Sequence, residues 1–189
     1  MSELSSVELL APAGDVEKFK TALYFGADAV YLGGKQFSLR TFADNFTYDG
    51  LKEAVNFAHR LGKKVYVTAN VFAKNSDFNH LGEYFTYLAS IGVDAVIVSD
   101  PGIVYLAKKV APTLAIHLST QANTTNKYSV RFWADQGVER VILARELSVA
   151  EIAEIHEFNP TTDLEAFVHG AMCISYSGRC LLSDYLDGR

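Results

Sequence analysis

The feature that most constrains the fold is a short pattern that recurs three times along the chain. Each copy has a glycine, a small apolar residue and an acidic residue, then one variable residue, a β-branched Val and two further apolar or aromatic residues. Glycine readily adopts the left-handed conformation that ends a helix, and β-branched residues favour a buried strand. Each copy therefore predicts a helix end that leads directly into a strand. The copies are Gly26-Ala-Asp-Ala-Val-Tyr-Leu, Gly92-Val-Asp-Ala-Val-Ile-Val and Gly137-Val-Glu-Arg-Val-Ile-Leu.

Extended along the chain, this pattern predicts seven strands separated by helices. The intervening segments carry apolar residues at i, i+3 and i+4, which is typical of helices with one buried face. Helix starts are indicated by Asp15, by Asp49, by Asp100 with Pro101 at the first helical position, and by a capping box of Ser148 and Glu151. The predicted strands cover about 7–12, 29–33, 64–70, 94–98, 114–118, 140–144 and 164–169.

Strands that alternate with single helices and are apolar throughout indicate a parallel sheet covered by helices. Two architectures fit this description. A doubly wound open sheet needs a glycine-rich phosphate-binding turn after the first strand, and the turn Ala11-Pro-Ala-Gly-Asp15 lacks that pattern. Seven regular units favour a TIM-barrel-like (β/α) fold, which typically has eight. We therefore expect residues 1–189 to form a single incomplete barrel, either a fragment or a partly open barrel.

The amino-acid composition argues against several classes of protein. The chain has 17 basic and 22 acidic residues and a net charge of -5, which argues against general attraction to nucleic acid, so we expect no DNA partner. Apolar runs are too short to span a bilayer, and Met1 to Leu10 has no basic region like that of a secretory signal. The two cysteines are too few for a disulfide-rich secreted protein. We expect a cytoplasmic protein with reduced thiols.

Polar side chains follow most of the predicted strands, at the end where barrels hold their ligands. They include Arg40 and Asn45 in a long loop after the second strand, Asn70 after the third, Gln121 and Asn123 after the fifth, Arg145 and Glu146 after the sixth, and His169 after the seventh. Two simpler interpretations stay open. The run from Ser119 to Asn126 is explained equally by a capping turn, and Arg145 with Glu146 by a surface ion pair.

The two cysteines, Cys173 and Cys180, also have several interpretations. Each is explained by burial as a small apolar residue. As metal ligands they need partners, because zinc sites and iron–sulfur clusters usually take four ligands; His117 and His169 are candidates. As a nucleophile, a cysteine needs a nearby base such as His169.

Known hydrolytic motifs are absent from the sequence. The nearest to a zinc-peptidase helix is His156-Glu157-Phe-Asn-Pro160, where proline replaces the second histidine. There is no G-x-S-x-G elbow and no P-loop.

A long segment resembles the signature of peptidase family U32, the collagenase-like peptidases of unassigned catalytic type. It reads Glu165-Ala-Phe-Val-His-Gly-Ala-Met-Cys173-Ile-Ser-Tyr-Ser-Gly-Arg-Cys180-Leu-Leu-Ser183. The stretches from Glu8 to Gly14, from Tyr31 to Phe46 and from His117 to Asn123 are also similar to that family, so the resemblance covers nearly the whole chain.

The resemblance implies a function. Several members are regarded as hydroxylation proteins that carry an iron–sulfur cluster on four cysteines, and some form 5-hydroxyuridine in transfer RNA by a prephenate-dependent route. Cys173 and Cys180 match the first two cluster ligands. The other two lie further along in family members, so the resemblance implies that residues 1–189 are the N-terminal portion of a longer protein. We expect catalytic roles for Arg40, Asn45, Gln121, Asn123, Arg145 and His169, cofactor binding by Asn70 and Glu146, and metal binding by Cys173 and Cys180.

Three functional hypotheses follow from these observations. The first is RNA hydroxylation, with tRNA or a small molecule as substrate and prephenate as cosubstrate. The second is the collagenase-like peptidase of the family's name, acting through Cys173 or a bound metal. The third is a partner subunit that performs no chemistry alone. The basic pairs Lys63-Lys64 and Lys108-Lys109 are scattered and have no interleaved aromatic residues. Two alternatives therefore stay open: the RNA-binding surface lies in a further part of the protein or in a partner subunit, or the substrate is small.

Overall fold

The computed structural model of the protein describes residues 7–38, 45–170 and 172–180. Seven strands, numbered in chain order, form one parallel sheet in which each strand pairs with the next along the chain. The strands are β1 Leu10–Pro12, β2 Ala29–Gly33, β3 Lys64–Thr68, β4 Ala95–Val98, β5 Ala115–Leu118, β6 Arg140–Ile142 and β7 Asp163–Glu165.

All seven predicted strands are confirmed, with differences at their ends. β1 begins at Leu10, not at residue 7, and β3 ends at Thr68, not at residue 70. The largest difference is in β7, which was expected over 164–169 and ends at Glu165. The apolar pair Phe167 and Val168 therefore follows the strand, and both side chains are exposed.

In residues 7–38, 45–170 and 172–180, six helices alternate with the strands. They are α1 Val16–Tyr24, α2 Tyr48–Arg60, α3 Phe78–Ser90, α4 Pro101–Val110, α5 Lys127–Asp135 and α6 Val149–Phe158, and a 3₁₀ turn spans Thr120–Ala122. The longest have 13 residues, and in the described part of the chain none is long and apolar enough to cross a bilayer.

The sequence predicted three of the four helix starts correctly. Asp15 accepts a hydrogen bond from the Lys18 backbone N–H, Asp100 caps the helix that opens with Pro101, and Ser148 forms a capping box with Glu151. The prediction for Asp49 was wrong. Thr47 caps α2 by accepting from the Gly50 backbone N–H at 3.1 Å, and Asp49 lies in the first turn, where an acidic side chain also suits the helix dipole.

Apolar side chains fill two layers. A large cluster lies between the sheet and the helices and includes Val30, Val67, Val96, Leu51 and Phe85. Alternate residues of the same strands point to the opposite face and form a smaller cluster, whose buried members are Ala29, Tyr66, Ala95, Ile97 and Ile142. This second layer is the interior of the barrel.

The sheet curves round on itself as the barrel prediction requires. Arg140, at the start of β6, donates a 2.6 Å hydrogen bond to Glu8, which lies just before β1. The strands β1 and β7 are the two edges of the sheet in the described residues. The predicted incomplete (β/α) barrel is confirmed, and its parallel strands bring all seven carboxyl ends to one end of the molecule.

Candidate functional site

The carboxyl ends of the strands surround a cavity of about 330 Å³. In (β/α) barrels this end holds the ligand site, because the loops that follow the strands converge there. The volume lies near the lower limit of the roughly 300–1,000 Å³ typical of ligand pockets. The strand residues that line the cavity are Pro12, Tyr31, Leu32, Gly33, Thr68, Ile97, Ile142 and Glu165.

One wall of the cavity depends on a glycine at the end of β2. A Cβ atom at Gly33 would lie 2.7 Å from Ser38 Oγ and 2.9 Å from Asn45 Oδ1. Ser38 Oγ is in turn 3.1 Å from Thr68 Oγ1 at the end of β3. Because Gly33 has no side chain, Ser38, Asn45 and Thr68 can line the cavity together.

The polar run after β5 divides into two sets of residues. Ser119 and Asn126 cap the 3₁₀ turn and α5 by accepting from the backbone N–H groups of Gln121 and Ser129. For these two residues the capping-turn interpretation is correct. Gln121 lines the cavity, as do Ser119 and Thr120, and Asn123 donates from Nδ2 to the backbone oxygen of Ser177 at 2.7 Å.

Arg145 and Glu146 hold the segment that carries both cysteines, residues 172–180, which we call the cysteine segment. Arg145 donates to the backbone oxygens of Cys173 at 2.8 Å and Ser175 at 2.7 Å, and to Ser177 Oγ at 3.2 Å. Glu146 Oε1 accepts from the Ser177 backbone N–H at 2.8 Å. The two side chains thus bind the cysteine segment, a role that the surface ion-pair interpretation did not include.

A close backbone contact completes this attachment. Gly178 has φ of +74°, and a Cβ atom there would collide with the backbone oxygen of Gln121. Only glycine allows both this conformation and this approach. The contact presses the cysteine segment against the turn after β5, so that Gly178 and Cys180 line the cavity.

The structure separates the predicted site residues into three groups. Asn45, Asn70, Gln121 and Cys180 line the cavity. Asn123, Arg145 and Glu146 hold the cysteine segment. His169 and Cys173 are exposed, and among the described residues no hydrogen bond joins them. Arg40 lies outside the described residues.

Glu165 is a cavity residue that the sequence analysis did not single out. It ends β7 and lines the cavity, and its Oε2 atom is buried with no hydrogen-bond partner in the described part of the chain. Burial raises the pKa of its carboxyl to about 7, against the opposing effect of Arg140, whose Nη1 is 3.7 Å from Oε2. A carboxylate at the end of a barrel strand is typical of a site, but the predicted strand ran to residue 169 and placed Glu165 inside it.

A network of charged groups lies deeper in the barrel. Glu8 accepts hydrogen bonds from Arg140, from the Tyr66 hydroxyl at 2.7 Å and from Lys64 at 3.0 Å. Although burial opposes it, these bonds lower the pKa of Glu8 to about 2. His117 packs edge-on against the Tyr66 ring, with centroids 4.6 Å apart, and burial lowers its pKa to about 3. His117 is therefore a neutral interior residue of the barrel, a role different from that of a metal ligand at the rim.

Fold and site together define a (β/α)-barrel protein with a ligand cavity at the carboxyl ends of its strands and a cysteine segment fixed to the rim of that cavity. The sequence profile of Peptidase family U32 matches residues 14–189. The chain belongs to this family.

Similar proteins agree with this assignment. The tRNA hydroxylation protein P1 of Bacillus subtilis is 48% identical over 182 residues, covering 96% of this chain and 43% of the relative. The tRNA hydroxylation protein P of Escherichia coli is 45% identical over 182 residues, covering 96% of this chain and 40% of the relative. The chain thus spans less than half the length of these relatives. The solved structure of the U32 peptidase Mk0906 has the same fold, with a TM-score of 0.74 at 18% identity, over 90% of this chain and 71% of that one.

Proposed function

We propose that this protein takes part in the hydroxylation of uridine in tRNA, with the barrel cavity and the cysteine segment as one site. The observation that carries the proposal is the attachment of the cysteine segment across the ends of β5 and β6, which brings Cys180 to the wall of the cavity. A redox-active group bound by the cysteines would then stand next to a molecule held in the cavity. The names of the relatives support tRNA as the substrate class.

In this chain, Cys173 and Cys180 are the proposed ligands of an iron–sulfur cluster. A cluster usually takes four cysteine ligands, whereas no group of three or more metal-ligating side chains occurs among the described residues. These residues therefore do not fit a complete cluster, and we derive no step through one. We propose that the two cysteines of residues 1–189 supply half of the ligand set and that a further part of the protein supplies the rest.

Prephenate is the proposed cosubstrate, on the basis of the family resemblance. Its two carboxylates need cationic partners. Of the two arginines expected at this rim, Arg145 binds the cysteine segment, and Arg40 lies outside the described residues. Among the described lining residues, the cavity presents uncharged polar groups and the Glu165 carboxyl. Asn45, Asn70 and Gln121 are the residues we propose to contact a bound molecule there.

The sequence predicted a catalytic role for Arg145 and cofactor binding by Glu146. We propose that they act as positioning residues, because their side chains bind the cysteine segment. Asn123 belongs with them through its bond to Ser177. His169 stays a candidate catalytic residue on the exposed stretch between β7 and the cysteine segment.

The net charge of -5 argues against general binding of the RNA backbone by this chain. A protein that grips the RNA backbone usually shows a basic surface. We propose that the grip comes from a further part of the protein or from a partner subunit, and that the barrel contributes the site of chemistry. We expect this activity in the cytoplasm.

Gene transfer into Escherichia coli tests the proposal. The complete gene is expressed in a strain that lacks its own tRNA hydroxylation protein P and is grown without oxygen, so that oxygen-dependent chemistry does not contribute. Mass spectrometry of tRNA nucleosides then measures 5-hydroxyuridine. We expect it to rise above the level of the empty strain, to be lost in Cys180→Ser and to be retained in Met172→Ala, whose side chain is exposed. No rise with the unaltered gene would contradict the proposal.

The peptidase alternative is tested with the purified protein. Cleavage of collagen that is lost in Cys173→Ala would favour the peptidase instead.

A further inference from the structure

Large apolar side chains lie exposed on and beside the cysteine segment. Val168, between β7 and the segment, is 89% exposed, Ile174 is fully exposed, and the ring of Tyr176 is 52% exposed. Apolar surface in contact with water is unfavourable, and neighbouring exposed apolar side chains usually mark a contact surface. We call these three residues the apolar surface of the cysteine segment.

The backbone that carries this surface is held in place. Arg145 donates to the backbone oxygens of Cys173 and Ser175, and Glu146 accepts from the backbone N–H of Ser177. Ile174 and Tyr176 therefore alternate with residues whose backbone groups are bound to the loop after β6. Because the backbone is anchored, the exposed side chains form a surface that needs little further ordering to bind a partner.

The chemistry of the surface favours protein over RNA as the occupant. Valine and isoleucine offer no flat ring on which a base can stack and no charge for a phosphate. The guanidinium of Arg145 is engaged by the cysteine segment, which leaves Arg179 as the exposed cation of residues 172–180. Apolar side chains are typical of the buried centre of a contact between polypeptides.

The relatives indicate which polypeptide covers the surface. This chain spans less than half the length of the tRNA hydroxylation proteins that it matches, so more than half of each relative lies outside the match. The proposed cluster also needs ligands beyond Cys173 and Cys180. A chain that supplies them has to reach the cysteine segment.

We infer that a further part of the same protein docks on the apolar surface of the cysteine segment and covers Val168, Ile174 and Tyr176. The docked part presents an apolar surface of its own, and it shields Cys173, which is exposed in this chain. The inference rests on the proposed function, which assigns the remaining cluster ligands to a further part of the protein. The docking itself is argued from the exposed apolar side chains and their anchored backbone.

Hydroxyl-radical footprinting of the complete gene product tests the docking without any substitution. Tyr105 on α4 is the matched reference, because it is the same residue type and is 71% exposed. Side chains at the centre of a contact are packed as in a protein interior, so Tyr176 should be oxidised about tenfold more slowly than Tyr105. Oxidation of the two tyrosines at similar rates would overturn the inference.

A charge placed on the surface should prevent docking, because burial of an unpaired carboxylate is costly. In Ile174→Glu, oxidation of Tyr176 should rise to the rate of Tyr105, whereas Ile174→Leu should keep Tyr176 protected. Phe132→Glu is the control, because Phe132 is 56% exposed on α5. Hydrogen exchange in the strands checks that the barrel stays folded. Continued protection of Tyr176 in Ile174→Glu would contradict docking at this surface.

A photo-cross-linker at position 174 identifies the occupant. p-Benzoylphenylalanine replaces Ile174 in the complete gene product, and mass spectrometry identifies the linked peptides. We expect a link to a peptide outside residues 1–189, in a product with the mass of a single chain. A product with twice that mass would assign the surface to a second copy, and a link to tRNA would assign it to RNA. Either result, or links confined to residues 1–189, would overturn the inference.

The tRNA measurement in Escherichia coli separates this inference from the proposed function. If 5-hydroxyuridine is formed by a protein whose Tyr176 is unprotected, the proposed function stands and the docking is removed. If Tyr176 is protected and no 5-hydroxyuridine is formed, the docking stands and the proposed function is removed.

Discussion

Arg145 donates a 2.8 Å hydrogen bond from its guanidinium to the backbone oxygen of Cys173. The two residues are 28 positions apart, and the bond ties the first cysteine to the loop after β6. Two further bonds from the same guanidinium, to Ser175 and Ser177, make Arg145 the main anchor of the cysteine segment. Two of the three bonds go to backbone oxygens, so the anchor fixes the path of the chain from Cys173 towards the cavity.

Replacement of Arg145 by alanine should release the cysteine segment without unfolding the barrel. A hydrogen bond to a charged group contributes about 1.5–3 kcal/mol, so amide hydrogen exchange in residues 172–180 should become about tenfold faster or more. Exchange in the strands should stay unchanged. Arg131→Ala is the control, because Arg131 forms an exposed pair with Asp135 on α5. Equal exchange in the two variants would show that Arg145 is not an anchor.

Gly178→Ala should loosen the same segment for a different reason. The added Cβ would collide with the Gln121 backbone oxygen, and φ of +74° strains any side chain. Gly62→Ala is matched in conformation, with φ of +67°, but has no atom within 4 Å of the new Cβ. Both variants should show a backbone cost of about 1 kcal/mol. Only Gly178→Ala should also speed exchange in residues 172–180. If it leaves this exchange at the level of Gly62→Ala, the close contact does not hold the segment.

Glu165 should make stability depend on pH near neutrality. Its pKa of about 7 in the folded protein is above the ordinary value of 4.5, so folding favours the protonated form. The resulting stabilisation is complete below about pH 4.5 and is lost as the pH rises through 7. Arg140 and Glu8 are the charged groups that act on it.

Comparison with Glu165→Gln isolates this effect. Between about pH 5 and pH 8, wild type should lose roughly 2 kcal/mol of unfolding free energy relative to the variant. Glu8 and His117, with pKa values of about 2 and about 3, are present in both proteins, so their titration cancels in the comparison. Urea unfolding at both pH values measures the difference. A constant difference between the two proteins would show that Glu165 titrates normally.

The complete gene product, purified without oxygen, should contain iron and acid-labile sulfide. Cys173→Ala and Cys180→Ala should each lose most of the bound iron, because each removes one of the proposed ligands. Met172→Ala should retain it. Iron and sulfide are measured chemically and by absorbance. A protein free of iron, or iron that persists in both cysteine variants, would contradict the assignment of these cysteines.

Local patterns were sufficient to predict most of the fold. The junction glycines Gly26, Gly92 and Gly137 do adopt positive φ values, and the strands follow them directly. The end of β7 was less predictable. The apolar pair Phe167 and Val168 is typical of a strand, but β7 ends before it and both side chains are exposed in the following loop. That error placed Glu165 inside a strand and hid it as a site residue.

The candidate site was only partly predictable. The polar residues after the strands could be found, because parallel strands deliver them to one rim. Their division into cavity residues and anchors depends on contacts between distant positions, such as Arg145 with Ser175 and Asn123 with Ser177. Such contacts depend on how the cysteine segment folds back over the barrel, and no local periodicity encodes that path.

The most direct test of the account measures 5-hydroxyuridine in tRNA from the Escherichia coli strain that lacks its own tRNA hydroxylation protein P. The strain carries the unaltered gene, Arg145→Ala or Arg131→Ala. If the cysteine segment must be fixed at the cavity for hydroxylation, then Arg145→Ala should reduce 5-hydroxyuridine to the level of the empty strain, and Arg131→Ala should match the unaltered gene. Full hydroxylation by Arg145→Ala, with hydrogen exchange confirming that residues 172–180 are released, would contradict the account.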